Sequence, residues 1–165
     1  MAKVWRVIYV KSRCEKKALL SLSKLGCEAY VPLQKELRDW SDRKKWVEMV
    51  VFPNYVFVKN EFIERNMVFN CIHVLKYVFI GHKEVLLTEA EIETIQLLSK
   101  SAEKLEVCDK GFEIGENVVL KSGILKGLAG EIIKQEGEFY VRVKISGLSC
   151  YIRAKINRAD LEELK

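Results

Sequence analysis

The segment Val50–Lys59 reads VVFPNYVFVK, and it limits the folds open to this chain more than any other stretch. Its β-branched and aromatic residues are strand formers, so a well-buried strand belongs here. Pro53 cannot donate a ladder hydrogen bond, which places a joint inside the run. The expectation is a hairpin arm that ends near Phe52 and a central strand that starts at Asn54. Along that strand Tyr55 and Phe57 share one sheet face, and Val56 and Val58 the other. The valines are assigned to packing. Tyr55 and Phe57 admit two readings: core, or a face on which a partner docks.

Around this strand the text alternates between strand and helix. VWRVIYV at 4–10 is a strand with Trp5, Val7 and Tyr9 on one face. Ser12 with Glu15 is a capping-box pattern that opens a helix through Leu25, ended by Gly26. Its apolar stripe is Cys14, Ala18, Leu22 and Leu25. CEAYVPLQKEL is a second strand, leading into a long hairpin with SDRKK at its tip between Trp40 and Trp46. A helix is expected over 63–72 and a fourth strand over 74–81. Thr88 with Glu91 repeats the capping box and opens a third helix to about Lys100, with Ile92, Ile95 and Leu98 inward. The sum is β-α-β-β-α-β plus a helix, an α+β domain of the ferredoxin-like kind with three helices.

Beyond it the texture changes. Residues 105–114 read as a linker, and the short β-rich runs that follow are punctuated by Gly123, Gly127, Gly137 and Gly147. That spacing suits a small all-β barrel. The domains expected are therefore 1–104 and 115–165.

Charge is distributed unevenly between these parts. Residues 1–59 hold 13 Lys/Arg against 6 Asp/Glu, while 106–165 hold 10 against 10. Polyanion contact is thus expected through the front of the chain only. Lys11, Arg13, Lys16, Lys17 and Lys24 concentrate in one stretch and are the candidate phosphate contacts; their bland reading is solvated surface charge. Five cysteines without a C-x-x-C pair argue against a disulfide framework and a zinc site and fit a reducing cytoplasm. No run approaches the ~20 apolar residues of a membrane span.

Catalysis finds little support. His73 and His82 lie near no nucleophile motif, and GILKGLAG lacks the G-K-[ST] ending of a phosphate-binding loop. No enzyme activity, cofactor or metal is expected. The remaining candidates are binding functions.

WRVIYVKSRCEKKALLSL, FPNYVFV and VFIG, in this order, resemble the N-terminal domain of NusG-like transcription elongation factors. GENVVLKSGILKGLAGEI resembles the KOW motif that opens their C-terminal SH3-like barrel. The tract from Leu33 to Lys59 is most similar to the specialised RfaH/UpxY type, which serves particular operons such as surface polysaccharide loci. General members more often have Gly where this chain has Asn54.

The resemblance implies a monomeric antitermination factor whose apolar groove grips the clamp helices of RNA polymerase and suppresses pausing. The matching positions are Tyr9, Phe52, Pro53, Tyr55, Phe57 and Ile80. Lys11 and Lys24 match positions that face non-template DNA. Leu125, Leu128 and Ile145 match barrel residues that bind a small-subunit ribosomal protein or Rho, although each also fits an ordinary barrel position. The RfaH element that touches the polymerase gate loop is His-Thr-Thr; here the place reads Glu64-Arg65-Asn66. A different class of function, an RRM-like sheet with a KOW barrel acting on free RNA, would use Tyr55 for base stacking.

Overall fold

The computed structural model describes residues 2–101, 104–108, 116–120 and 129–157. These divide into two compact units: Met1–Pro32 with Phe52–Ile92, and Leu33–Val51 with Glu93–Lys165.

In the first unit a sheet is built from β1 (Val4–Val10), β2 (Glu28–Tyr30), β5 (Tyr55–Asn60), β6 (Val74–Tyr77) and β9 (Leu86–Leu87). Its order is β2-β5-β1-β6, with β9 also pairing with β1. All pairings are antiparallel, and β1 and β5 run in register from Val4↔Asn60 to Tyr9↔Tyr55. Directly paired residues share a face. One face therefore carries Trp5, Val7, Tyr9, Tyr55, Phe57 and Lys59, and the other Arg6, Ile8, Val10, Val56, Val58 and Asn60. Val56 and Val58 are fully packed, as their alternation requires.

Between β1 and β2 lies α1 (Glu15–Lys24), which contacts β2 and β5. Ala18 and Leu22 of the expected stripe are buried, while Arg13, Lys16, Lys17 and Lys24 remain exposed. Gly26, at φ +77°, ends the helix in the left-handed region that glycine tolerates. The expected capping box does not form: the cap is Cys14, with no side-chain bond, and Glu15 turns to Asn54 instead. A carboxylate in a first helical turn can satisfy any nearby N–H, and the tertiary donor wins here.

Two further expectations change in detail. The segment foreseen as an α-helix over 63–72 is a 3₁₀ segment, Phe62–Asn70, closed by a reciprocal cap between Glu61 and Glu64. The foreseen strand over 74–81 breaks after Tyr77 and resumes as β7 (Phe79–Ile80), which hairpins with β8 (Lys83–Glu84) through Gly81. The Thr88 box does form: Thr88 N donates to Glu91 Oε2 at 2.9 Å, and Glu91 N to Thr88 Oγ1 at 3.2 Å. It opens α2 (Glu89–Ser101), in which Ile92, Ile95 and Leu98 are buried as expected.

In the second unit, β3 (Leu33–Asp39) and β4 (Lys44–Val50) form the expected long hairpin, in register from Leu33↔Val50 to Asp39↔Lys44. The foreseen single strand 27–37 is interrupted at Pro32, for the reason already given for Pro53. A second antiparallel sheet has the order β10-β14-β13-β12-β11. Its strands are β10 (Leu105–Cys108), β11 (Glu116–Val119), β12 (Ala129–Gln135), β13 (Glu138–Ile145) and β14 (Cys150–Ile156). Of the expected linker, Leu105–Cys108 is thus an edge strand paired with β14, and 109–114 lie outside the described residues.

Along β14 the buried positions Cys150, Ile152, Ala154 and Ile156 alternate with half-buried ones, the signature of a sheet with one packed face. A two-residue turn at Glu136 and Gly137, both at positive φ, joins β12 to β13. Gly130 has a different reason to lack a side chain: a Cβ there would lie 2.8 Å from the Arg142 carbonyl oxygen and from Val141 Cγ2.

Candidate partner-binding face

Tyr9 and Tyr55 are register partners on adjacent central strands, and both keep part of their surface in solvent. Their rings meet edge to face with centroids 6.0 Å apart, and Lys76 Nζ lies 5.8 Å from the centre of Tyr9. Pro53 beside them is exposed. The result is a small apolar platform with a cation at its edge. Such a surface can hold an apolar protein segment, a base, or the end of an acidic side chain.

Phe52 and Phe57, grouped with these residues in the sequence, are placed differently. Phe57 is fully buried and Phe52 is 4% exposed. Phe52 meets Phe57 edge to face at 5.6 Å, and Tyr30 stacks on Phe57 at 6.2 Å. Three rings cover one another, so Phe52 and Phe57 belong to a packed part of the first unit and not to the exposed platform. Ile80 is 45% exposed in the β7–β8 hairpin, next to Phe79 at 52%.

The connection from Phe52 to Tyr55 is held by backbone strain and hydrogen bonds together. Asn54 adopts φ +69°, where a non-glycine residue is uncommon and asparagine is among the better tolerated. Its Nδ2 donates to the Val10 carbonyl at 3.1 Å, its carbonyl accepts from Val10 N at 2.8 Å, and its N donates to Glu15 Oε1 at 2.7 Å. Glu15 itself is only 6% exposed. Sequence reading missed this lock; the signal available was an asparagine where a turn after proline calls for a left-handed residue.

The candidate phosphate contacts Lys11, Arg13, Lys16, Lys17 and Lys24 are all exposed, the first two in the β1–α1 loop and the rest on α1. The structure thus brings the five onto one loop and helix.

The 3₁₀ segment holds Glu64 and Arg65 in structural roles. Arg65 pairs with Glu84 at 2.7 Å and lies over the Phe62 and Tyr77 rings at 5.3 and 4.7 Å. Tyr77 Oη donates to the Arg65 carbonyl at 2.8 Å and accepts from Asn60 Nδ2 at 3.0 Å, while Arg6 donates to Asn60 Oδ1 at 2.7 Å. Burial, the largest effect, raises the Tyr77 hydroxyl above the ordinary tyrosine range. A cavity of about 530 Å³ beside this network is lined by Phe62, Phe69, Leu75 and Phe79 with Arg65 and Lys76. Sequence reading missed it too, because exposed and buried aromatics look alike in a short irregular segment.

On the Trp5 side, Trp5 Nε1 donates to Glu89 Oε2 at 3.0 Å and Lys59 Nζ lies 2.5 Å from Glu89 Oε1. The Lys59 bond, and then the Trp5 bond, hold the Glu89 carboxyl below its usual range; the same Glu89 contact raises Lys59. These residues anchor the start of α2 to the sheet.

In the second sheet Ile145 is 1% exposed, a packed residue of β13, so the strand's own core claims it. Leu125 and Leu128 lie outside the described residues. Among the described residues no group of three His, Cys, Asp or Glu could hold a metal ion, and no helix is long and apolar enough to cross a membrane.

The chain's mixed α/β architecture has a counterpart among solved structures. The solved structure titled "Domain interaction in Thermotoga maritima NusG" aligns with a TM-score of 0.60 at 23% identity, covering 99% of this chain and 98% of that one. At that identity the likeness shows the fold alone. The sequence model of NusG, described as transcription termination factor nusG, matches residues 3–96. The chain belongs to the NusG family. No curated protein matches it.

Proposed function

We propose that this NusG-family protein is an elongation and antitermination factor that grips the clamp helices of RNA polymerase through the platform of Tyr9, Pro53 and Tyr55, with Ile80 at its margin. The observation that carries the reading is the half-exposed Tyr9–Tyr55 pair, lying within the segment matched to the family. Holding the clamp restrains its opening, so pause and termination states become less accessible.

The first sheet, with its β2-β5-β1-β6 order, supports a ferredoxin-like domain within 1–104, and the second, to which Leu105–Cys108 adds an edge strand, supports a KOW-type SH3-like barrel proposed over 115–165. The exposed Lys11, Arg13, Lys16, Lys17 and Lys24 touch non-template DNA. The barrel recruits a ribosomal protein or Rho, and the factor acts in the cytoplasm as a monomer on a dedicated operon. A pull-down with core polymerase tests the reading: wild type is retained and Tyr55→Ala is not. A wild-type protein that fails to bind polymerase ends it. Tight binding to free single-stranded RNA, abolished by Tyr55→Ala and independent of polymerase, would favour a direct RNA-binding role instead.

A further inference from the structure

The basic loop between β1 and α1 is closed at both ends on a single residue. Val10, just before Lys11, donates its N–H to the Asn54 carbonyl and accepts a second bond from the Asn54 side chain. Glu15, just after Cys14, is 6% exposed as a residue, and its Oε1 accepts the Asn54 N–H at 2.7 Å. Within the loop Cys14 N donates to the Lys11 carbonyl at 3.0 Å, and Arg13 takes φ +59°. Asn54 is also the residue between Pro53 and Tyr55, and Tyr55 N closes the turn onto the Phe52 carbonyl at 3.2 Å. Asn54 thus belongs at once to the apolar turn and to the base of the cationic loop.

From this geometry we infer that Glu15 and Asn54 are positioning residues that couple the Lys11–Cys14 loop to the Pro53–Tyr55 turn, so that nucleic acid held by the loop stiffens the turn for its protein partner. The inference rests on the proposed function for the identity of the two ligands, but the coupling itself lies in the chain. The residues that flank the loop on both sides make three hydrogen bonds to one residue of the turn, so the motions of loop and turn are linked through Val10 and Glu15. Ordering one lowers the entropy the other must still lose on binding. A carboxylate at the first turn of a helix is also favoured there by the positive end of the helix dipole, which keeps the Glu15 acceptor at the helix start where the Asn54 N–H meets it.

The test uses the full chain and a deoxythymidylate dodecamer at low salt, with amide hydrogen exchange followed by NMR. In wild type, the oligonucleotide slows exchange at the Asn54 and Tyr55 amides by about threefold or more. In Glu15→Ala the oligonucleotide still binds, because Lys11, Arg13, Lys16 and Lys17 are intact, but the slowing at Asn54 and Tyr55 vanishes. Glu15→Gln keeps an acceptor oxygen and restores part of it. Asn54→Gly keeps the backbone bonds, loses only the Nδ2 bond, and gives an intermediate response; it and Glu15→Gln carry the test if Glu15→Ala does not fold.

Equal slowing in wild type and in the Glu15 variants overturns the coupling, as does the absence of slowing, or of oligonucleotide binding, in wild type. Polymerase pull-downs on the same proteins separate this from the functional reading. Loss of polymerase binding by wild type with slowing intact removes the partner and keeps the coupling. Polymerase held equally well by wild type and Glu15→Ala removes the positioning role and keeps the partner.

Discussion

Replacing Phe57 and Tyr55 separately by alanine distinguishes a packed residue from a proposed contact residue on the same strand face. Phe57 has no exposed surface and lies against Phe52 and Tyr30. Phe57→Ala leaves a cavity that strand and helix neighbours can only partly fill, at a cost of about 3–5 kcal/mol. For a domain of this size that lowers the melting temperature by roughly 12–40 °C. Tyr55 is half-buried, and its edge-to-face contact with Tyr9 contributes about 0.5–1.5 kcal/mol beyond area burial, so loss of that contact shifts the melt by roughly 2–12 °C, less than Phe57→Ala. Thermal unfolding followed by circular dichroism gives the two shifts. Polymerase pull-down below both transitions then gives the second axis. Tyr55→Ala loses the partner at the smaller cost in stability, whereas Phe57→Ala loses stability first and retains partner binding in its folded fraction. A Phe57→Ala protein that melts within about 1 kcal/mol of wild type yet no longer binds polymerase would refute the division drawn from burial.

Three further outcomes follow from individual side chains. Tyr77→Phe strips a partner from the Asn60 amide and the Arg65 carbonyl and costs about 1–3 kcal/mol by denaturant unfolding. Because the folded hydroxyl titrates above the ordinary tyrosine range, the stability it contributes is complete below that range. It is lost as pH rises through the folded value, an alkaline limb that Tyr77→Phe abolishes. Glu89 behaves in the opposite sense: its lowered carboxyl stabilises above the usual carboxylate range, and that stability is lost as pH falls through the depressed value. Trp5 fluorescence should report the step in acid, and Glu89→Gln should remove it. Replacing Lys11, Arg13, Lys16, Lys17 and Lys24 by alanine, singly and together, weakens single-stranded DNA binding. Every cation that no longer neutralises a phosphate flattens the logarithmic salt dependence by about 0.7, measured by fluorescence anisotropy.

Much of this was legible in the residues, for identifiable reasons. Proline leaves a mark that tertiary structure cannot erase, so the joint at Pro53 and the strand after it could be placed. Alternation on β5 separated Val56 and Val58 from their neighbours, and the Thr88–Glu91 box satisfied itself within one turn. Ser12 and Glu15 made the same local pattern, yet a distant N–H on Asn54 took the carboxylate; no spacing rule contains a donor 39 residues away. Phe57 was read with Tyr55 because both lie on one face. Whether such a face is covered depends on Phe52 and Tyr30, which the period of a strand cannot show. The segment after Asn60 was the hardest, since Phe62, Phe69 and Phe79 lack a period that distinguishes 3₁₀ from α or packing from exposure.

The chain's two prolines stand at the two roots of the β3–β4 hairpin, Pro32 before it and Pro53 after it. On their near sides β2 and β5 pair directly, Tyr30 with Phe57. Neither proline can pass a ladder bond along the backbone, so the sheet's registry is insulated from whatever happens between them. The hairpin is accordingly an interchangeable cassette: its arms can lengthen, shorten or change their tip over generations while the strands that bear Tyr9 and Tyr55 keep their alignment. Diversification of the hairpin need not touch the strands that carry the two tyrosines.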